Sequence, residues 1–312
     1  MSTALLPRPI RGIIPPMITP LLDAATLDRE GLVRLIEHIV GGGVNGLFIL
    51  GTTGEGPSLP YALRRDLVSE TCALVRGRVP VLVGVTDTAY GELIAMAEHA
   101  AAAGASAVVV APPPYFTATQ GELLGYLQRV ATAAPLPVLL YNIPSHTKVF
   151  IEANTVRRAA ELPNVIGLKD SSGDLTHFHR VQLLLAGRPD FTLLVGPEEM
   201  LAASVLLGGH GGVNGGANLM PELYVALFNA ARAGDLPQVH LLHRRVMALS
   251  TQLYSVSRSN ASVLLGLKCA LALRGICHDA TAEPFSRLSA SDRAVIAERL
   301  EGLDLVGHTV PA

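Results

Sequence analysis

Lysine is almost missing from this chain. Only Lys148, Lys169 and Lys268 occur among its 24 basic residues, and the rest are arginine. The two trade places freely on a solvated surface. They do not trade as nucleophiles, because guanidinium stays protonated in proteins. Scarcity therefore directs attention to each lysine that is kept, although an arginine-biased composition would leave a few at random positions. Cysteine is scarce as well. Cys72, Cys269 and Cys277 are odd in number and lack metal or redox spacing, so they read as reduced thiols of a cytoplasmic protein. Runs of positive charge are absent: no stretch of Lys or Arg exceeds two residues and the net charge is −2. That argues against a nucleic-acid binder. Unbroken apolar runs are also missing, despite an apolar fraction of 49% and a mean hydropathy of +0.39. Residues 100–121 carry no charge, but Gly104 and Pro112-Pro113-Pro114 interrupt them. A spanning helix needs about 20 continuous apolar residues, so no membrane span is expected. The first eleven residues hold two prolines and no apolar h-region, so no secretory signal is expected. The sequon Asn260-Ala261-Ser262 then reads as a chance match.

What is present is repetition. Eight short apolar segments begin near Gly12, Gly46, Pro80, Ala107, Pro137, Val165, Thr192 and Gly212, at intervals of 20 to 34 residues. Helical patterns such as 28–41, 59–76, 91–103 and 121–134 lie between them. Short apolar strands alternating with helices imply a parallel sheet covered on both faces. Eight units favour closure into a (β/α)8 barrel. No dinucleotide fingerprint follows the first strand, which weakens an open doubly wound sheet. After the eighth unit only helices follow, at 236–252, 260–274 and 289–300. The expected organisation is a catalytic barrel over 1–230 and a three-helix C-terminal appendage over 231–312, packed on it.

Active sites of this fold lie at the C-terminal strand ends. There the sequence places Thr19, Gly51-Thr52-Thr53-Gly54-Glu55, Thr86, Pro114-Tyr115-Phe116, Tyr141-Asn142-Ile143-Pro144, Lys169-Asp170, Gly196 and the glycine-rich 208–216. Lys169 thus stands out by location as well as by rarity. A lysine in water has a pKa of about 10.4, leaving about one in 2,500 neutral at pH 7. Burial lowers that value, and a neutral amine can attack a ketone to form a Schiff base. The ordinary alternative is a salt-bridged structural lysine. Tyr141, ending the neighbouring strand, is either a proton shuttle or a core tyrosine. Thr52, Thr53 and Gly54 offer hydroxyls and N–H groups at an expected helix entrance, suited to a carboxylate; a plain N-cap involving Glu55 is the competing reading. Lys148 and Lys268 lie off the strands. His177 with His179, and His240 with His243, lack a third ligand and read as surface or helix-packing residues, so no metal is expected.

Taken in order, Gly51-Thr52-Thr53-Gly54-Glu55, Tyr141-Asn142-Ile143-Pro144 and Gly167-Leu168-Lys169-Asp170 resemble the dihydrodipicolinate synthase / N-acetylneuraminate lyase family of Schiff-base aldolases. Pro114-Tyr115 and Gly212-Val213-Asn214-Gly215-Gly216-Ala217-Asn218 agree, and the resemblance runs from about residue 12 to the end. It implies that Lys169 forms an imine with pyruvate or a 2-keto acid and that Tyr141 is general acid/base. It further implies that Thr52 relays protons, that Thr53 holds the carboxylate, and that Val213 offers a backbone carbonyl near the imine. No cofactor is implied, and a homotetramer built as a dimer of dimers is.

Two positions depart from the synthase pattern. Phe116 stands where a second tyrosine would serve the neighbouring subunit, and His146 stands where an arginine would grip a carboxylate. Histidine makes no bidentate grip. Specificity is therefore expected from His146, Phe116 and the loops after strands four to seven, with Tyr115 and Gly196 as further substrate-binding candidates. Asp170-Ser171-Ser172-Gly173-Asp174 looks closer to aldolases that split 2-keto-3-deoxy sugar acids or 4-hydroxy-2-oxoglutarate. A modified dihydrodipicolinate synthase and a 2-keto-3-deoxy acid dehydratase are the alternatives within the family. Outside it stand a sugar-phosphate aldolase using 208–216, whose only basic residue is His210, and a binding protein without turnover.

Overall fold

The computed structural model describes residues 6–256 and 261–308. Residue 260, the expected start of one helix and the sequon asparagine, lies outside them, as do 1–5 and 309–312. In chain order the barrel runs β1 (Gly12–Ile13), α1 (Arg29–Gly41), β2 (Leu47–Ile49), α2 (Tyr61–Val75), β3 (Val81–Gly84), α3 (Tyr90–Ala102), β4 (Ala107–Val110) and α4 (Gln120–Ala133). It continues with β5 (Val138–Asn142), α5 (Pro144–Thr147), α6 (Ala153–Ala159), β6 (Val165–Asp170), α7 (Leu175–Leu184), β7 (Thr192–Val195), α8 (Leu201–Leu206), β8 (Gly211–Gly212) and α9 (Pro221–Ala233). From β2 to β8 each strand pairs in parallel with the next, and β8 pairs with β1. Closure between β1 and β2 comes from Asn45 N–H to Ile13 O at 2.8 Å, Phe48 N–H to Pro15 O at 3.0 Å and Met17 N–H to Phe48 O at 2.8 Å. Pro15 and Pro16 have no N–H to give a ladder, which accounts for the two-residue β1. The last strand is likewise shorter than the expected segment from Gly212, because the chain past it turns into a 3₁₀ helix at Gly215–Asn218.

Alternation along the strands separates two cores. Phe48, Leu82, Val109, Leu139, Tyr141, Leu194 and Val213 fill the barrel interior, whereas Leu47, Val83, Val108, Leu140 and Leu168 pack against the helices. A strand's side chains alternate faces, so an inserted residue reverses every position beyond it. Such a bulge occurs where Val138 pairs with Val165 but Leu139 pairs with Gly167. Past it, Tyr141 lies beside Lys169 and Asn142 beside Asp170.

Gly234, with φ 71°, ends α9, and Asp235 caps α10 (Leu236–Leu253). α11 (Ser262–Leu273) and α12 (Ala290–His308) complete the helices. They bind the barrel through specific polar ties as well as apolar contact. The Asp28 carboxylate caps α1 through Gly31 N–H at 2.8 Å and accepts His278 N–H at 3.0 Å from the segment after α11. Among the described residues, no helix is long and apolar enough to cross a membrane.

Candidate active site

A cavity of about 570 Å³ opens at the C-terminal ends of the strands. Lys169 reaches its floor from β6 and is 4% exposed. Gly167, two residues earlier on the same strand, has no room for a side chain, since a Cβ there would strike Thr192 and Leu139. The Lys169 amine lies 3.9 Å from the centre of the Tyr141 ring and 4.8 Å from that of Phe48. Burial pushes its pKa down, opposed in part by Tyr141. Among the described residues, no carboxylate forms an ion pair with it. The salt-bridged alternative for Lys169 therefore fails, and burial at the base of a largely apolar pocket disfavours its charged form.

Tyr141 is buried in the inner core, and its hydroxyl lies 3.3 Å from Thr52 Oγ1. Thr52 and Thr53 both line the cavity. Their turn is not the helix entrance expected from sequence, because α2 starts only at Tyr61. It is closed instead by Glu55 N–H to Thr52 O at 3.1 Å and Gly56 N–H to Gly51 O at 3.2 Å. Among the described residues, the Thr52 and Thr53 N–H groups donate to no protein acceptor. They remain available to an anion without help from a helix dipole. Glu55 stands at the N-cap of the 3₁₀ helix Gly56–Ser58, left-handed at φ 56°, but its side chain makes no capping bond; its carboxylate pairs with Lys268 and accepts Ala282 N–H at 2.8 Å.

Val213 and Gly196 also line the cavity. The Val213 N–H donates to Val195 O at 2.8 Å, and Gly196 O accepts the Asn214 amide at 3.0 Å. His146 stands at the cavity rim on α5, with Ser145 Oγ 2.9 Å from its Nδ1. Desolvation, then Lys148 and Lys169, hold its pKa below the ordinary 6.5, so the imidazole is neutral at pH 7. Tyr115 and Phe116 are not brought to the cavity. They are 86% and 82% exposed, stacked edge to face at 4.9 Å, with Tyr115 at φ 84°. From the segment after β4, Ala111 and Pro114 line the pocket. Within one chain, neither Tyr115 nor Phe116 lines the cavity.

Three features escaped the sequence. Asp170 accepts the Asn142 amide at 3.1 Å and Ser172 N–H at 2.9 Å, and meets His177 Nδ1 at 2.9 Å. His177 is thus a buried partner of a strand-end carboxylate, and its place one helical turn into α7 was the only available hint. Glu198 also lines the cavity and accepts the hydroxyls of Tyr224 at 2.5 Å and Tyr254 at 3.1 Å, and Gly216 N–H at 2.9 Å. Burial pushes its carboxyl up to about 7 against those bonds. Glu55 with Lys268 is the third.

Other expected chemistries lose their residues. His210 precedes β8 at the far end of the barrel from Lys169, its Nδ1 accepts Leu193 N–H at 2.9 Å, and burial drives its pKa down to about 4. It supplies no cation for a phosphate. The three cysteines are free, with burial raising Cys72 and Cys269 to about 11 and Cys277 to about 12. Thiolates are therefore negligible at pH 7. Among the described residues, no three His, Cys, Asp or Glu side chains gather to hold a metal ion.

Comparison with known proteins agrees with this fold. The dihydrodipicolinate synthetase family pattern matches residues 9–302. A probable 2-dehydro-3-deoxy-D-pentonate aldolase of Escherichia coli, YjhH, is 35% identical over 76% of this chain and 80% of its own. The 4-hydroxy-tetrahydrodipicolinate synthase of Aromatoleum aromaticum is 31% identical over 95% of this chain and 100% of its own. The dihydrodipicolinate synthase structure from Bacteroides thetaiotaomicron superposes with a TM-score of 0.92 at 50% identity, covering 95% and 99% of the two chains. YagE, an Escherichia coli prophage protein solved in complex with pyruvate, superposes with a TM-score of 0.89 at 31% identity, covering 95% and 99%. Fold and relatives together define a class, the lyases built on a (β/α)8 barrel. Within it, the chain belongs to the dihydrodipicolinate synthase / N-acetylneuraminate lyase family of class I aldolases.

Proposed function

We propose that this enzyme is a Schiff-base aldolase cleaving a hydroxylated 2-keto acid, of the 2-keto-3-deoxy sugar acid or 4-hydroxy-2-oxoglutarate type, to pyruvate and an aldehyde. The carrying observation is the buried Lys169 amine, unpaired by carboxylate and 3.9 Å from the centre of the Tyr141 ring. The amine adds to the C2 carbonyl, and the carbonyl oxygen leaves as water once protonated through Tyr141. The resulting iminium is the electron sink. Tyr141 takes the proton of the C4 hydroxyl, the C3–C4 bond breaks, and the aldehyde departs. The remaining enamine is protonated at C3, and water returns pyruvate and the free amine. Thr52 relays protons to Tyr141, while the free N–H groups of Thr52 and Thr53 receive the carboxylate. Val213, Gly196 and His146 meet the rest of the substrate.

A neutral His146 favours a neutral polyol tail over a carboxylate-bearing aldehyde, and the pentonate aldolase relative points the same way. The 50% identity to a dihydrodipicolinate synthase structure favours the synthase as the second reading. Borohydride reduction with pyruvate, followed by peptide mapping, tests the imine; no adduct on the Lys169 peptide overturns both readings. Release of pyruvate from 2-keto-3-deoxy acids, against consumption of pyruvate with aspartate semialdehyde, then separates them. The assembly is a homotetramer whose exposed Tyr115–Phe116 edge meets a partner subunit. Phe116→Tyr adds only a hydroxyl and leaves the oligomer intact; a monomer by light scattering contradicts that placement.

A further inference from the structure

Lys268 is fully buried in the middle of α11 among Leu264, Leu265, Leu267 and Leu271, outside the barrel and outside the reaction just described. It pairs with Glu55 and donates to Ala280 O at 2.6 Å. The other Glu55 oxygen accepts Ala282 N–H at 2.8 Å. One carboxylate on the strand-two loop is thus held by two separate elements of the C-terminal appendage. Replacing a buried ion pair with apolar residues of similar volume is often neutral or stabilising. Stability alone therefore gives little reason for charges here. Direction does: an ion pair with hydrogen bonds fixes a position that an apolar contact leaves loose.

What it fixes is three residues away. Glu55 closes the turn through its N–H to Thr52 O, and it does so at φ 56°, a left-handed conformation unfavourable for a side chain of its kind. Gly56 follows, pressed so close to the Leu50 carbonyl that a Cβ would collide, and Leu50 is itself left-handed at φ 57°. A strained turn persists only where its surroundings over-determine it. The Thr52 hydroxyl at the other end is 3.3 Å from Tyr141 Oη, beyond the usual 2.5–3.0 Å for such a bond. A small displacement of the turn makes or breaks that contact.

We propose that Glu55 and Lys268 are positioning residues, through which the C-terminal appendage sets the place of Thr52 against Tyr141. The inference rests on the imine reading above. Its test is a double-mutant cycle between the anchor and Thr52, read as the rate at which borohydride traps the pyruvate adduct on Lys169. Glu55→Gln with Lys268→Met removes the anchor while leaving no unpaired charge. In the parent enzyme, Thr52→Val slows trapping by about tenfold or more. The anchor variant, folded by circular dichroism and gel filtration, is itself slowed about tenfold. In its background Thr52→Val costs less than about twofold, because residues acting as one unit are not additive. Trapping at the parent rate in the anchor variant, or costs that multiply, overturns the proposal. If the double variant does not fold, Glu55→Gln alone, which keeps the shape and the Ala282 bond, goes through the same cycle, and either of those two results overturns the proposal there as well. Absence of any adduct in the parent enzyme instead defeats the imine reading, so the two failures are distinct.

Discussion

The molecule holds two buried lysines, one at the end of β6 and one in the middle of α11, and among the described residues only the second has a carboxylate beside it. Burial pushes the amines of both Lys169 and Lys268 down. At Lys268 the Glu55 carboxylate opposes that shift and occupies the ammonium. At Lys169 the opposing group is a tyrosine, and the space beyond is an open cavity. Desolvation alone therefore does not make a nucleophile. A carboxylate partner turns a buried lysine into an anchor, and the proposed reading takes the lysine without one as the amine that meets the carbonyl.

The sharpest way to break this comparison is to remove the amine at each place. Lys169→Arg keeps a long basic side chain and removes the nucleophile. Loss of a covalent nucleophile lowers turnover by more than about 10⁴-fold, and borohydride should trap no adduct. An adduct appearing on Lys268 would erase the distinction. Tyr141→Phe keeps the ring under the Lys169 amine and removes only the hydroxyl. General acid/base catalysis accounts for about 10²–10⁴-fold, so turnover should drop by that range while the adduct still forms slowly. A variant that turns over normally would leave Tyr141 as packing. The third expectation concerns stability. Lys268→Met strands the Glu55 carboxylate inside the protein, and breaking a buried pair in this way costs about 3–5 kcal/mol. Lys169→Met strands nothing and should stabilise, so the urea midpoints move in opposite directions. Two shifts of the same sign would show that the carboxylate does not govern the difference.

How legible these lysines were follows from what each depends on. Lys169 was readable because rarity, a short apolar strand and its place at a strand end are all local facts. The barrel was readable for the same reason, since its repeat recurs along the chain. Lys268 was legible only as a lysine in a helix, because its partner lies 213 positions away and no local pattern joins them. The same holds for Glu198, whose tyrosines sit on α9 and at the end of α10. Thr52 and Thr53 line the cavity, but no α-helix starts at their turn. A Gly-Thr-Thr-Gly sequence does not announce that a 3₁₀ turn at Gly56–Ser58 will intervene before α2.

The smallest expected effect is the pH dependence of the Lys169→Met gain. The folded enzyme holds Lys169 below its ordinary 10.5, so between the lowered value and 10.5 the unfolded chain binds more protons than the folded one. Stability rises with pH wherever the unfolded state holds the extra proton. The penalty of the buried amine is therefore fully present below that window and disappears as pH climbs through it. Methionine carries no such penalty at any pH. The advantage of Lys169→Met should accordingly be largest near pH 7 and narrow toward pH 10.5, with tyrosine and cysteine titrations cancelling between the two proteins. Urea midpoints at both pH values measure it. An advantage that stays constant across the window would mean that Lys169 is protonated in the folded enzyme, and that its amine, like that of Lys268, is held as an ammonium.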